Sequence, residues 1–200
     1  MKIKICGLNP LRDVQLCIDL KINFLGFVFY EKSPRNINIS DIKILSTYKK
    51  NSTSYVAVTV NPTDEFIEKN IIGNFDFIQL HGSETNERIA EIKNMGFKII
   101  KTIKVKDCKD IDRHKEFNNA DVILFDTPGM EKSFEFPKNL ITKLPVGEKY
   151  ALAGSISENN VENISKLGVN FFDLSSSLEN QLGYKDHKKI KRFMSKINEL

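Results

Sequence analysis

Paired cysteines, long apolar runs and glycine-rich phosphate turns are all missing from this chain. Cysteine occurs three times, as Cys6, Cys17 and Cys108. That number is odd, no pair has C-x-x-C spacing, and no metal-ligand pattern is formed. A disulfide scaffold and a zinc module are therefore excluded, no metal is expected, and free thiols point to a reducing cytoplasm. No apolar stretch approaches the ~20 residues of a membrane span, and there is no apolar signal core near Met1. Basic residues exceed acidic ones by only 30 − 26 = 4. They are scattered, and no basic helix carries interleaved aromatics. A nucleic-acid partner is not expected, whereas a small anionic substrate suits this charge. Linkers and low-complexity segments are also lacking.

What is present fits one domain spanning residues 1–200. Hydrophobic residues make up 40% of the chain, enough for a sizeable core. The opening stretch, Lys2-Ile3-Lys4-Ile5-Cys6-Gly7, alternates polar and β-branched residues and reads as a strand ending in a thiol. Further strands are expected at 23–29, 55–60, 76–81, 98–105, 121–126, 149–153 and 170–175. Helical segments separate them. The first begins at Asn9-Pro10, with Leu11, Val14, Cys17 and Ile18 on one face, and Cys17 reads as core. Later ones include a helix capped by Ser40, one from Thr85 to Met95 stopped by Gly96, and a last one from Asp186 with Ile190, Phe193, Met194 and Ile197 at i, i+3, i+4, i+7. One extra helical turn fits between Ser176 and Gly183.

Eight strands alternating with eight helical segments predict an α/β fold, a single (β/α)8 TIM barrel. At 200 residues its loops must be short, since such barrels typically need ~250 and at least ~200 residues. The rival, an open doubly wound sheet, calls for a glycine-rich turn after strand one, and Gly7-Leu8-Asn9 is not that turn.

In a barrel of this type the chemistry sits where strands end. Cys6 ends the first strand. A lone cysteine there is either a small packed hydrophobe or a base or nucleophile, and the second role needs neighbours that favour the thiolate. Asp126 follows the apolar run Val122-Ile123-Leu124-Phe125. It is either a turn cap or a general acid, for which desolvation of a carboxylate at the barrel mouth would be the device. His81 ends strand four and reads alone as a hydrogen-bonded histidine. Arg35, in the loop after strand two, is a solvated cation or a bidentate clamp for a substrate carboxylate. Gly154-Ser155 and Ser176-Ser177 follow strands seven and eight, whose loops commonly build a phosphate site in this fold.

Taken in order, these stretches resemble the phosphoribosylanthranilate isomerase family, from Lys4 to near the C-terminus. Lys4-Ile5-Cys6-Gly7 is similar to the family's KICG. Gly26-Phe27-Val28-Phe29 with Ser33-Pro34-Arg35 is similar to its second-strand motif, and Gln79-Leu80-His81-Gly82 to its QLHG. Phe125-Asp126-Thr127 resembles L-D-T, Asp173-Leu174-Ser175-Ser176 resembles D-V-S-S, and Lys185-Asp186 matches the KD before the last helix. The resemblance implies that Cys6 is the general base and Asp126 the general acid of an Amadori rearrangement of N-(5-phosphoribosyl)anthranilate in tryptophan biosynthesis. Arg35, His81 and Asp173 would bind substrate, and Gly154, Ser155, Ser176 and Ser177 the phosphate. It implies no cofactor and a cytoplasmic monomer or homodimer. Phe27 and Phe29 are expected to line the mouth against the aromatic substrate.

The departures are specific. Ser155 and Ser177 stand where the family has glycine, Glu131 replaces another glycine, and Phe136 replaces a tryptophan in the loop that begins at Gly129. The rival functions are a related sugar-phosphate isomerase, which would pair two aspartates, and a non-catalytic barrel that binds an anionic metabolite.

Overall fold

A computed structural model describes residues 1–128 and 136–200. The altered loop residues between Gly129 and Glu135, Glu131 among them, lie outside the described residues. Eight parallel strands close into a barrel in sequence order. They are β1 (Lys2–Cys6), β2 (Phe24–Phe29), β3 (Ser54–Thr59), β4 (Phe77–Leu80), β5 (Lys98–Lys104), β6 (Val122–Asp126), β7 (Tyr150–Leu152) and β8 (Phe171–Leu174), with β8 pairing back onto β1. Helical segments connect them: α1 (Val14–Asp19), α2 (Ile42–Leu45), α3 (Asp64–Phe66), α4 (Asn86–Asn94), α5 (Cys108–Asp112), α6 (Lys138–Ile141), α7 (Val161–Ser165) and, after β8, α8 (His187–Asn198).

Period-2 alternation divides the strands into two layers. Ile3, Ile5, Leu25, Phe27, Ile78, Ile99, Ile123, Phe125, Phe172 and Leu174 point outward and form one buried cluster with the helices. Val28, Val56, Val58, Phe77, Ile100, Val122, Leu124, Ala151 and Phe171 point inward and fill the barrel. Phe24 closes the lower end: its ring stacks on Phe171 at 5.0 Å and meets Phe77 edge-on at 5.3 Å. β6 is buried from Val122 to Phe125, as a strand covered on both faces must be.

Three expectations are corrected. Phe27 and Phe29 do not line the mouth. Cys6 pairs in register with Gly26, which puts Gly26 and Val28 on the inner phase and turns Phe27 and Phe29 toward the helices, where both meet Phe75. Leu11 is 64% exposed, because α1 starts only at Val14; Val14, Cys17 and Ile18 are buried as expected. Ser40 caps nothing: it lies inside a 3-10 turn, Ile39–Asp41, that runs into α2. After β8 the chain makes the expected helical turn, Ser176–Leu178, and then an antiparallel hairpin of β9 (Glu179–Gln181) and β10 (Tyr184–Lys185).

The longer helices end where their sequences say. Thr85 accepts a hydrogen bond from the Arg88 N–H to start α4, and Gly96 turns the chain after it at φ +102°. Asp186 caps α8 by accepting from the N–H groups of Lys188 and Lys189. Among the described residues no helix is long and apolar enough to cross a membrane.

Candidate active site

The C-terminal ends of the strands surround a cavity of about 170 Å³. Cys6, Arg35, His81, Asp126, Gly154, Ser155, Asp173, Ser176 and Ser177 all line it. Each residue given a catalytic, substrate-binding or phosphate-binding expectation therefore lines one cavity. Val28, Tyr30, Val58 and Val60 supply the apolar wall that Phe27 and Phe29 do not.

Cys6 is the last residue of β1, with its sulfur beside Gly26 of β2. A Cβ on Gly26 would lie 3.3 Å from that sulfur and 3.2 Å from Lys4 Nζ, so a side chain there would crowd both. Lys4 is on the same inward phase two residues earlier, almost fully buried. Its ammonium donates to both carboxylate oxygens of Asp173 on β8, at 3.0 and 2.9 Å. Burial works against the Lys4 charge, but the Asp173 carboxylate and the Cys6 sulfur outweigh it and hold the ammonium protonated. Burial pushes the Cys6 thiol up and Asp173 adds to this; Lys4 and Lys185 pull it down without cancelling the rise.

Asp126 ends β6 on the inward phase of Val122 and Leu124. One oxygen accepts from the Thr127 N–H at 2.8 Å, and the other lies 3.4 Å from His81 Nε2. Its side chain is 23% exposed to the cavity. The full desolvation suggested by the preceding apolar run is not realised, because the carboxylate projects past the end of the strand. His81 follows β4 and faces inward in the phase of Phe77 and Gln79.

Arg35 lies across Gly7, where a Cβ would fall 2.5 Å from its Cδ. Gly7, at φ +75°, is thus required both for its backbone and for this close approach. The guanidinium is not free in solvent. It donates to Glu179 of β9 through Nε at 2.6 Å and a terminal nitrogen at 2.8 Å. Lys185 of β10 donates to the same carboxylate at 2.6 Å and also reaches Ser175, whose hydroxyl donates to the Cys6 carbonyl. Burial opposes the Glu179 charge, yet Arg35 and Lys185 hold its carboxyl down at about 2. The hairpin is thereby clasped to the loop after β2. Gly183 completes the clasp against the Pro34 carbonyl, leaving no room for a side chain.

In the loops after β7 and β8, Gly154 has φ +99° and Ser155 φ +51°. Ser155 is thus a β-carbon residue in left-handed backbone, where its family glycine would be unstrained. Ser177 sits in the 3-10 turn with no such conflict. Among the described residues no protein acceptor takes the N–H groups of Ser155, Ser176 or Ser177. Also among the described residues, no cluster of three or more His, Cys, Asp or Glu side chains is arranged to hold a metal ion.

The sequence profile of N-(5′-phosphoribosyl)anthranilate (PRA) isomerase matches residues 3–196. The chain belongs to the phosphoribosylanthranilate isomerase family. It is 36% identical over 208 aligned positions to the N-(5′-phosphoribosyl)anthranilate isomerase of Thermoanaerobacter sp. (strain X514), covering 98% of each chain. Among solved structures it resembles a phosphoribosyl anthranilate isomerase in complex with reduced 1-(o-carboxyphenylamino)-1-deoxyribulose 5-phosphate, at 27% identity and a TM-score of 0.84 over 100% of both chains. It also resembles mutually generated monomers of the dimeric enzyme from Thermotoga maritima, at 26% identity and a TM-score of 0.83, again over 100% of both chains.

Within this phosphoribosylanthranilate isomerase barrel, sequence reading missed Lys4 as a buried, inward-facing partner of Asp173 and Glu179 as the partner of Arg35. Lys4 had a signal, since it shares the inward phase with Cys6. Glu179 had none, because the hairpin that brings it to Arg35 is a tertiary feature.

Proposed function

We propose that this chain catalyses the Amadori rearrangement of N-(5-phosphoribosyl)anthranilate to 1-(2-carboxyphenylamino)-1-deoxyribulose 5-phosphate, the isomerisation step of tryptophan biosynthesis. The family membership supports the reaction. The observation that carries the mechanism is one cavity holding a thiol at the end of β1 and a carboxyl group at the end of β6. In this reading Asp126 donates a proton to the furanose ring oxygen, and the C1–O bond opens to a Schiff base. Cys6 then takes the C2 proton, the electron pair moves into the protonated imine, and an enolamine forms. The enolamine tautomerises to the ketone, with the proton returned at carbon.

His81, 3.4 Å from Asp126, can hold that carboxyl group toward the sugar. Arg35 carries five N–H donors, of which Glu179 uses two. The rest remain for the anthranilate carboxylate, so the clasp orients the guanidinium without exhausting it. Asp173 lies where it can accept from a sugar hydroxyl. The N–H groups of Ser155, Ser176 and Ser177, with the adjacent Gly154, are suited to phosphate oxygens. We also read residues 1–200 as one cytoplasmic unit acting as a monomer or homodimer, without nucleic acid or membrane.

Complementation of a tryptophan auxotroph lacking this isomerase, with turnover of the purified protein on phosphoribosylanthranilate, tests the proposal. Growth and turnover are expected. Tight binding of the substrate without turnover would instead indicate a non-catalytic barrel.

A further inference from the structure

We propose that Lys4 is a positioning residue for the Cys6 base: its buried ammonium, beside the sulfur across Gly26, eases ionisation of the thiol inside the barrel. The proposal rests on the reading of Cys6 as the group that takes the C2 proton. A thiolate, not a thiol, performs that task, and an apolar barrel interior disfavours it. Something must supply compensating positive charge without itself meeting the substrate.

The geometry singles out Lys4. Its ammonium has three N–H donors, and Asp173 occupies two of them with its separate oxygens. The ammonium and the Cys6 sulfur flank one space over Gly26 of the neighbouring strand, where a Cβ would lie 3.2 Å from the first and 3.3 Å from the second. The charged groups around Cys6 come from three elements: Lys4 on its own strand, Asp173 on β8 and Lys185 on β10. Asp173 opposes the thiolate. Lys185 is committed to Glu179 at 2.6 Å and to Ser175, which bonds the Cys6 carbonyl rather than its sulfur. Lys4 shares the strand and the inward face of Cys6, with only the open space over Gly26 between its ammonium and the sulfur.

The test titrates the thiol without substrate. Cys108 is exposed and Cys17 is buried, so Cys108→Ser leaves Cys6 as the reactive site for iodoacetamide. The alkylation rate is followed from about pH 6 to about pH 10, a range spanning ordinary thiol ionisation. Lys4→Gln should raise the midpoint by about one pH unit or more, and Lys4→Arg should restore most of it, as expected for charge rather than packing. Turnover of Lys4→Gln should fall at least tenfold at neutral pH, mainly in kcat, and recover as pH rises.

Lys4→Gln strands a buried carboxylate and can prevent folding. The double variant Lys4→Gln/Asp173→Asn removes both charges and is compared with Asp173→Asn alone. The double variant should again show the higher midpoint. Equal midpoints in that comparison, or an unchanged midpoint in folded Lys4→Gln, overturn the proposal. Because alkylation needs no isomerase activity, its outcome is distinguishable from failure of the functional reading.

Discussion

Acid should dissolve the clasp between the β9–β10 hairpin and the loop after β2, and Glu179→Gln should reveal by how much. The Glu179 side chain is only 5% exposed and its two cationic partners are 11% and 0% exposed. Its carboxyl group sits at about 2 in the folded protein against an ordinary 4.5. The folded value is the lower one, so the unfolded chain binds the proton more readily. The ionised pair therefore contributes stability above the unfolded value and loses it as pH falls toward the folded one. At ~1.36 kcal/mol per unit, the difference amounts to about 3 kcal/mol at neutral pH. A second route gives the same scale, because removing one partner of a buried ion pair typically costs ~3–5 kcal/mol. Glu179→Gln should then destabilise by about 3 kcal/mol at pH ~7, and the gap should shrink by more than 1 kcal/mol by pH ~3.5. Other carboxylates titrate in both proteins and cancel in the difference. The chain has no tryptophan, so urea unfolding is best followed by far-ultraviolet circular dichroism. A gap below ~1 kcal/mol at neutral pH, or one that is the same at both pH values, would refute the reasoning.

Cys6→Ala and Asp126→Asn should each lower kcat by at least ~10²-fold, the size of a lost general base or acid. Near-normal turnover in either variant would remove that residue from the mechanism. Arg35→Ala should raise KM by ~10- to 100-fold, since a hydrogen bond to a charged group is worth ~1.5–3 kcal/mol. An unchanged KM would leave Arg35 as the partner of Glu179 only. Ser155→Gly should stabilise the protein by about 0.5–1 kcal/mol, because relief of left-handed strain at a β-carbon outweighs the added freedom of the unfolded chain. A lowered Tm would show instead that the Ser155 side chain holds the loop.

The barrel was legible because several strands carry their own terminator: Gly7 after β1, Asn61-Pro62 after β3, Gly82 after β4. The cavity-lining residues were legible because strand ends in this fold point at one cavity, so Cys6, His81, Asp126 and Asp173 needed only their place in the order of elements. Wall chemistry was harder. Phe27 and Val28 are both apolar, and nothing in Leu25-Gly26-Phe27-Val28-Phe29 says which phase is inward. The register of Cys6 against Gly26 decides it, and that is a property of two strands. A shift of one residue exchanges the entire set of inward side chains.

Lys4 shows how far such a phase argument reaches once one residue is anchored. If Cys6 faces the barrel, alternation puts Lys4 inside as well, and a lysine there must find an opposite charge. Asp173 is the partner, because β8 closes the ring onto β1 with Lys4 and Asp173 in register. Ring closure, which no single segment encodes, thus turns two separate charged residues into the buried pair beneath the thiol. Glu179 depends on still more, a hairpin folded back over the barrel mouth and two glycines, Gly7 and Gly183, that let Arg35 and Pro34 approach. The local pattern therefore places Cys6 and Asp126 at the cavity, while the buried charges beside Cys6 and the carboxylate that holds the guanidinium arise from closure of the barrel and docking of the hairpin.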